Sequence, residues 1–248
     1  MTLAYNNELQ MPKSDPLIKS PMQTPDPAIR RVLPRGSNSL PPEVVMLSQR
    51  GRLIEATAYH LDQKGYAATS VQDIIDRAGV SKTTFYKLFK DKEDCYLQCF
   101  ERISSAHIKV LHHAYANGTD HKARLEDAIL AYVQHIPQNA VYANAFFALA
   151  PYTTNKILAE LNVIKSHYMA GLEYWFNALP AHFKPYPLPT DIFKMLIEGA
   201  IAYCRQWIMS GFEQSSTQVH HYICYVIFAG LGLNVWAHQA LSQAQKAA

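Results

Sequence analysis

Three observations predict an all-α chain with a three-helix N-terminal head and a larger helical C-terminal domain. Eight of the 14 prolines fall in the first 42 residues, and none lies between Glu43 and Ile136. A proline inside a helix costs about 3 kcal/mol, so that stretch is free to form successive helices. Apolar residues recur at helical spacing between capping residues and glycines, and no run alternates as a strand would. The expected divisions are a mostly disordered arm over 1–40, a head over 41–92 and a helical domain over 93–248.

The arm lacks apolar periodicity and carries Lys13, Lys19, Arg30, Arg31 and Arg35. It reads as a solvated tail or as a basic arm able to touch phosphates. The first helix should run from about Pro42 to Lys64, with Ile54, Ala58 and Leu61 inward and Gly65 as its stop. Ser70 caps a second helix, and Asp73, three residues on, reaches back to it. Val71, Ile74, Ile75 and Ala78 form its apolar face, and Gly79 ends it. Ser81 then caps a third helix, Lys82 to Phe89, with Phe85, Leu88 and Phe89 inward. A long helix follows from about Lys92 to Ala116. Further helices are expected near His121–Ile136, Asn139–Ala150 and Thr153–Leu179. After a proline-rich loop, Pro180–Pro189, a final pair should span Thr190–Ser210 and Ser215–Gln243.

Composition excludes several classes. The chain has 248 residues, 49% hydrophobic and 17% charged, too apolar for a disordered protein. Its four cysteines are too few for a disulfide scaffold. No apolar run is long enough to span a membrane, and the N-terminus lacks the basic-then-apolar pattern of a secretory signal. A soluble cytoplasmic protein is expected. The net charge of +3 is uninformative by itself.

Where the charges sit is more telling. From Arg77 to Lys92 there are five basic residues and one acidic residue, Asp91. Ser70 to Phe89 reads as a helix-turn-helix, with glycine in the turn where the chain leaves a helix at positive φ. The second of its helices has the length to enter a major groove about 12 Å wide. Its exposed face is Lys82, Thr83, Tyr86 and Lys87, with Thr84 at the inner edge. Lysine can donate to guanine O6 and N7, and threonine can bond a base edge or pack on a thymine methyl. Tyr86 and Lys92 are placed for phosphates.

From Arg50 to about Phe100 the chain resembles the tetracycline-repressor (TetR) family of bacterial regulators. The resemblance runs through Ile54 and Ala56, Gly65-Tyr66, Thr69-Ser70-Val71, Asp73-Ile74, Ala78-Gly79-Val80-Ser81, Thr84-Phe85-Tyr86, Phe89 and Lys92-Glu93. Two positions depart from the family pattern: Ile75, where a small residue is usual, and Leu61, near a usual aromatic. The resemblance implies DNA contacts at Lys82, Thr83, Thr84 and Tyr86, and Ser81 at the head of the same helix is a further candidate. It implies phosphate contacts at Lys87 and Lys92, with another from Thr69 or Ser70. It also implies a helical C-terminal domain that binds a small molecule and pairs two subunits.

The residues of that domain fit the expectation. It holds 20 aromatics from Ile103 onward, most of them needed as core. Tyr142, Phe146, Tyr168, Trp175, Tyr203 and Trp207 are the candidate contacts to an apolar or aromatic effector. The doublets Phe146-Phe147 and Trp175-Phe176 cannot face one way on a helix, which hints at a cavity or a second interface. The last helix is apolar nearly all round, and Gly230 and Gly232 would permit close helix approach. The last two helices are therefore expected to form a homodimer interface, and a two-fold axis implies a palindromic operator in double-stranded DNA. Glu198 and Arg205 either pair across the dimer, or Arg205 meets an acidic ligand. Cys95 and Cys99 share one helix face and read as free cysteines rather than a thiol sensor or metal site. The doublets His112-His113 and His220-His221 read as surface or interface residues. No catalytic motif, cofactor loop or metal-ligand spacing occurs, so catalysis, cofactors and metals are not expected. The sequence points to a ligand-responsive repressor. The alternative is a DNA-binding protein without an effector, architectural or partner-regulated.

Overall fold

The computed structural model describes residues 41–184 and 186–247, so the arm and its basic residues lie outside it. The described residues are helical, with no strand among them. In chain order the head consists of α1 (Pro42–Ala68), α2 (Val71–Ala78) and α3 (Lys82–Leu88). The remainder comprises α4 (Lys92–Asn117), α5 (His121–Gln138), α6 (Ala140–Ala143), α7 (Asn155–Ala178), α8 (Thr190–Met209), α9 (Ser216–Gly230) and α10 (Asn234–Lys246).

Local chemistry sets most boundaries where the sequence places them. The backbone of α1 leaves helical geometry at Gly65 (φ 76°), and one further turn reaches Ala68. Asp91, Asp120, Thr154 and Ser215 each cap a helix by accepting a backbone N–H three residues on. Two expectations are corrected. The helix expected over Asn139–Ala150 is instead the short α6, a π turn over Asn144–Ala148 and a 3₁₀ turn over Ala150–Tyr152. Pro151 has no N–H to continue an α-helical ladder. The helix expected over Ser215–Gln243 is divided into α9 and α10 at Leu231–Leu233, where Gly232 takes φ 75°. Gly230 does permit close approach, because a Cβ there would lie 2.6 Å from Leu196 Cδ2 on α8.

The buried side chains form two clusters. The first joins the head to α4, α6 and the first half of α7, through Leu53, Ile74, Phe85, Tyr96, Phe100, Phe146 and Ile157. The second joins α5 and the end of α7 to α8, α9 and α10, through Val133, Trp175, Phe193, Trp207, Cys224 and Phe228. Phe147, on the π turn, packs against both. The cluster boundary thus lies beyond the head, and α4 is packed as part of it.

Candidate nucleic-acid interface and effector cavity

The turn between α2 and α3 is held from both ends. Ser70 and Asp73 form a reciprocal box: Ser70 Oγ accepts the Asp73 N–H at 3.1 Å, and Asp73 Oδ2 accepts the Ser70 N–H at 2.7 Å. Lys64 Nζ lies 2.8 Å from the same carboxylate. These partners hold the Asp73 carboxyl far below its ordinary value, the Lys64 ammonium foremost and then Ser70. At the other end of α2, Gly79 takes φ 59°, and Arg52 Nη1 donates to the Ala78 carbonyl at 2.9 Å. Ser81 caps α3 by accepting the Thr84 N–H at 3.1 Å. Phe85 and Phe89 fill the space beneath, their ring centroids 5.6 Å apart and both buried.

The outer face of α3 follows from this packing. Ser81, Lys82, Thr83, Tyr86 and Lys87 are exposed, and Thr84 is partly covered. Seven residues at about 1.5 Å each make a helix of about 10 Å, short enough to lie across a major groove. Phe89 is already extended, so α3 ends one residue earlier than the sequence suggests.

Thr69 departs from the expectation. Its side chain is 2% exposed and its hydroxyl donates to the Gly65 carbonyl at 2.7 Å, so it is absent from the outer face. Ser70 is exposed, but its N–H and O–H both donate to Asp73. Lys92 is turned inward. Its ammonium donates to the Tyr66 carbonyl at 2.8 Å and the Thr69 carbonyl at 2.7 Å, and lies 4.1 Å from the Tyr66 ring centre. An ammonium has three donors, so one remains for a phosphate. Burial lowers the Lys92 pKa.

Acid should weaken this head through Asp73. A carboxyl whose folded pKa is depressed contributes stability above its ordinary value, near 3.8, and loses it as pH falls through the folded value. Acid melting of the wild type should therefore show a loss below that pH. Asp73→Asn should be less stable at neutral pH and show a flatter acid limb, as followed by circular dichroism.

Two small cavities flank Phe147 in the C-terminal domain. The smaller one, about 10 Å³, is lined by Ile103, Ala106, His107, His135, Tyr142 and others. The larger one, about 20 Å³, is lined by Tyr132, Leu161, Lys165, Ile201, Arg205 and others. Each is about the size of one water. The His107 ring lies between those of Tyr132 (4.6 Å), His135 (4.9 Å) and Phe147 (5.1 Å). His107 Nε2 and Tyr168 Oη are buried with no hydrogen-bond partner. Burial, with His135 beside it, drops the His107 pKa to about 3, so the ring is neutral near pH 7.

Of the six candidate effector residues, Tyr142 lines a cavity and Tyr168 is in ring contact with Tyr132 at 5.8 Å. The other four are engaged elsewhere. Phe146 is fully buried against Tyr96, with ring centroids 4.9 Å apart. Trp175 donates to the His121 carbonyl, Tyr203 to the Gln214 side chain and Trp207 to the Gln214 carbonyl. Within the first doublet it is Phe147 that faces the cavities. Sequence reasoning missed His107, His135 and Lys165, because a single histidine or lysine on a helix carries no spacing signal.

Other expectations resolve similarly. Glu198 pairs within the chain, with Lys165 at 2.8 Å, so it does not await a partner subunit. His112 and His113 are exposed, but His220 is buried and bonded to the Glu126 carbonyl and Cys224. All four cysteines are free and buried. Among the described residues no helix is long and apolar enough to cross a membrane, and no group of three or more His, Cys, Asp or Glu is placed to hold a metal.

Residues 53–99 match the family profile described as bacterial regulatory proteins, tetR family. The chain is similar to the HTH-type transcriptional activator FasR of Mycolicibacterium smegmatis, 29% identical over 129 residues, 52% of this chain and 57% of that protein. It is similar to the transcriptional regulator AcuR of Cereibacter sphaeroides, 33% identical over 104 residues, 42% of this chain and 44% of that protein. It thus spans about half the length of these relatives. The fold is that of FadR from Bacillus subtilis, solved in complex with stearoyl-CoA, with TM-score 0.63 and 18% identity over 74% of this chain and 98% of that one. FadR from Bacillus halodurans aligns similarly, with TM-score 0.62 and 16% identity over 74% of this chain and 95% of that one.

Proposed function

We propose that the chain, whose residues 53–99 match the tetR-family profile, is a homodimeric transcriptional repressor of that family, released from a palindromic operator by a small apolar effector. The observation that carries the reading is the outer face of α3. It presents a capped, exposed row of Lys82, Thr83, Tyr86 and Lys87 over a packed Phe85. Lys82 and Thr83 read bases, Thr84 and Ser81 stand at the edge of the reading face, and Tyr86 and Lys87 hold phosphates. Lys92 fixes the end of α1 against the start of α2 and offers its remaining donor to the backbone.

Dimerisation is assigned to the outer faces of α8 and α9. Met195 and Met209 on α8 are 69% and 61% exposed, and Val226 on α9 is 49% exposed. Paired helices from two subunits form a four-helix interface and set two reading helices about 34–36 Å apart, one turn of DNA. Val226→Asp should convert dimer to monomer in sedimentation or light scattering while helix content is retained. Operator affinity should then fall steeply, since one head makes half the contacts.

The effector reading is supported by the cavities at Phe147 and by the unpartnered His107 Nε2 in the wall of one of them. Buried polar groups without partners are costly, so a site that leaves them open fits a ligand better than a solid core does. This favours a ligand-responsive protein over an effector-free one. Stearoyl-CoA, bound by the Bacillus subtilis neighbour, is an apolar-tailed molecule of the class proposed. An effector shifts the heads only by its differential affinity for the two states, about 1.4 kcal/mol per tenfold. Because Phe147 packs on both buried clusters, displacing it moves the core shared by α4 and the head. The test is selection of bound DNA from a random pool, repeated with apolar effectors. Recovery of a palindrome that effector releases supports the proposal, and failure to enrich any sequence overturns it.

A further inference from the structure

The two cavities beside Phe147 differ in charge, and that difference gives the effector an orientation. Lys165 and Arg205 line the larger cavity. Lys165 is held by Glu198, the carboxylate beside it, at 2.8 Å. Arg205 makes no hydrogen bond or ion pair among the described residues, so its guanidinium donors are open to a ligand. A guanidinium fork matches a carboxylate or phosphate in shape and charge. The smaller cavity is walled by Ile103, Ala106 and Ile136, and burial lowers the pKa of both its histidines, His107 and His135, so it offers an anion no positive charge near pH 7.

Resting on the effector reading above, we propose that the two cavities are the ends of one pocket for an amphiphile with an anionic head and an aliphatic tail. The head sits on Arg205, with Lys165 beside it, and the tail passes Phe147 to end near His107. Neither cavity alone holds more than about one water, so Phe147 must turn aside for a tail to enter. Its place on the π turn suits that motion, since such turns interrupt the helical ladder and recur at functional sites. A free fatty carboxylate and an acyl-CoA thioester share this chemistry, one through its carboxylate and the other through its phosphates.

The test is calorimetric titration of the full chain with decanoate, decanoyl-CoA, butyrate and decan-1-ol. Decanoate or decanoyl-CoA should bind about tenfold or more tightly than decan-1-ol, the worth of one charge-assisted contact. Whichever anion binds identifies the source of the head. Arg205→Gln should abolish the preference for the anion over the alcohol, and Arg205→Lys should keep most of it. Ala106→Leu, which fills the smaller cavity, should weaken the ten-carbon ligand and leave butyrate unchanged. The proposal is overturned if the alcohol binds as tightly as the anions, if Arg205→Gln leaves anion affinity unchanged, or if neither anion binds. Operator titration in parallel separates the two readings. A chain that binds operator but no amphiphilic anion remains a regulator with another effector, whereas one that binds no operator refutes the regulator reading whatever its ligand.

Discussion

Phe85→Ala will abolish operator binding by unfolding the head. Phe85 is fully buried at the point where α3 meets α1 and α2, in ring contact with Phe89. Truncating a buried phenylalanine to alanine costs about 3–5 kcal/mol, from lost apolar transfer and from the cavity left behind. A whole domain has only about 5–15 kcal/mol of stability, and a head in which two of the three helices are short has fewer contacts over which to absorb the loss. The second cluster, around Trp175 and Phe228, does not touch Phe85, so dimerisation through α8 and α9 should survive. Circular dichroism should therefore show partial loss of helix, sedimentation an intact dimer, and fluorescence anisotropy no specific DNA complex. Phe85→Leu should retain binding, which distinguishes lost volume from any role of the ring itself. Full operator affinity in Phe85→Ala would remove the head's core from the explanation of its function.

The second large effect separates reading from holding. Lys82→Gln removes a base contact worth about 1–3 kcal/mol in each half-site, hence about 2–6 kcal/mol per dimer, or about 30-fold to about 10⁴-fold on a site with guanine at that position. Its dependence on salt should barely change. Lys87→Gln removes a phosphate contact from each subunit, so the slope of log affinity against log salt should fall by about 1.8. At physiological salt that corresponds to about 30-fold weaker binding, equal for specific and unrelated DNA. Titrations across a salt series on both DNAs give the two signatures. If the two variants behave alike, the assignment of roles along α3 is wrong.

Prominent parts of this molecule were legible because they are local. Ser70 with Asp73, Gly79 and Ser81 specify α2, the turn and α3 through hydrogen bonds spanning four residues or fewer, and the structure places each as read. Tertiary partners are invisible at that range. Thr69 looked available on the sequence, yet its hydroxyl is drawn to Gly65 and its carbonyl to Lys92, 23 residues away. The apolar run over Ser215–Gln243 hides the break at Leu231–Leu233, because leucines flank the glycine that turns the chain. The doublet Phe146-Phe147 signalled two environments without saying which ring met which. That was settled by the π turn, whose extra residue per turn shifts the facing of every side chain after it. His107 carried no signal, since only its packing against His135 and Tyr132 makes it unusual.

The four free cysteines, all buried, bear on how the proposed motion can be watched. Burial drives the Cys99 thiol well above its ordinary pKa, as it does Cys204 and Cys224, whereas the hydrogen bond from Cys99 lowers that of Cys95. The thiolate is the form that reacts with alkylating labels, and Cys95 is fully covered, so the folded chain presents them with almost nothing. The natural sequence is therefore its own blank for spectroscopic labelling. One cysteine introduced at an exposed site near α3, such as Lys90, would carry the only accessible spin label or dye in each subunit. Two such labels in a dimer report the separation of the reading heads directly, with and without effector.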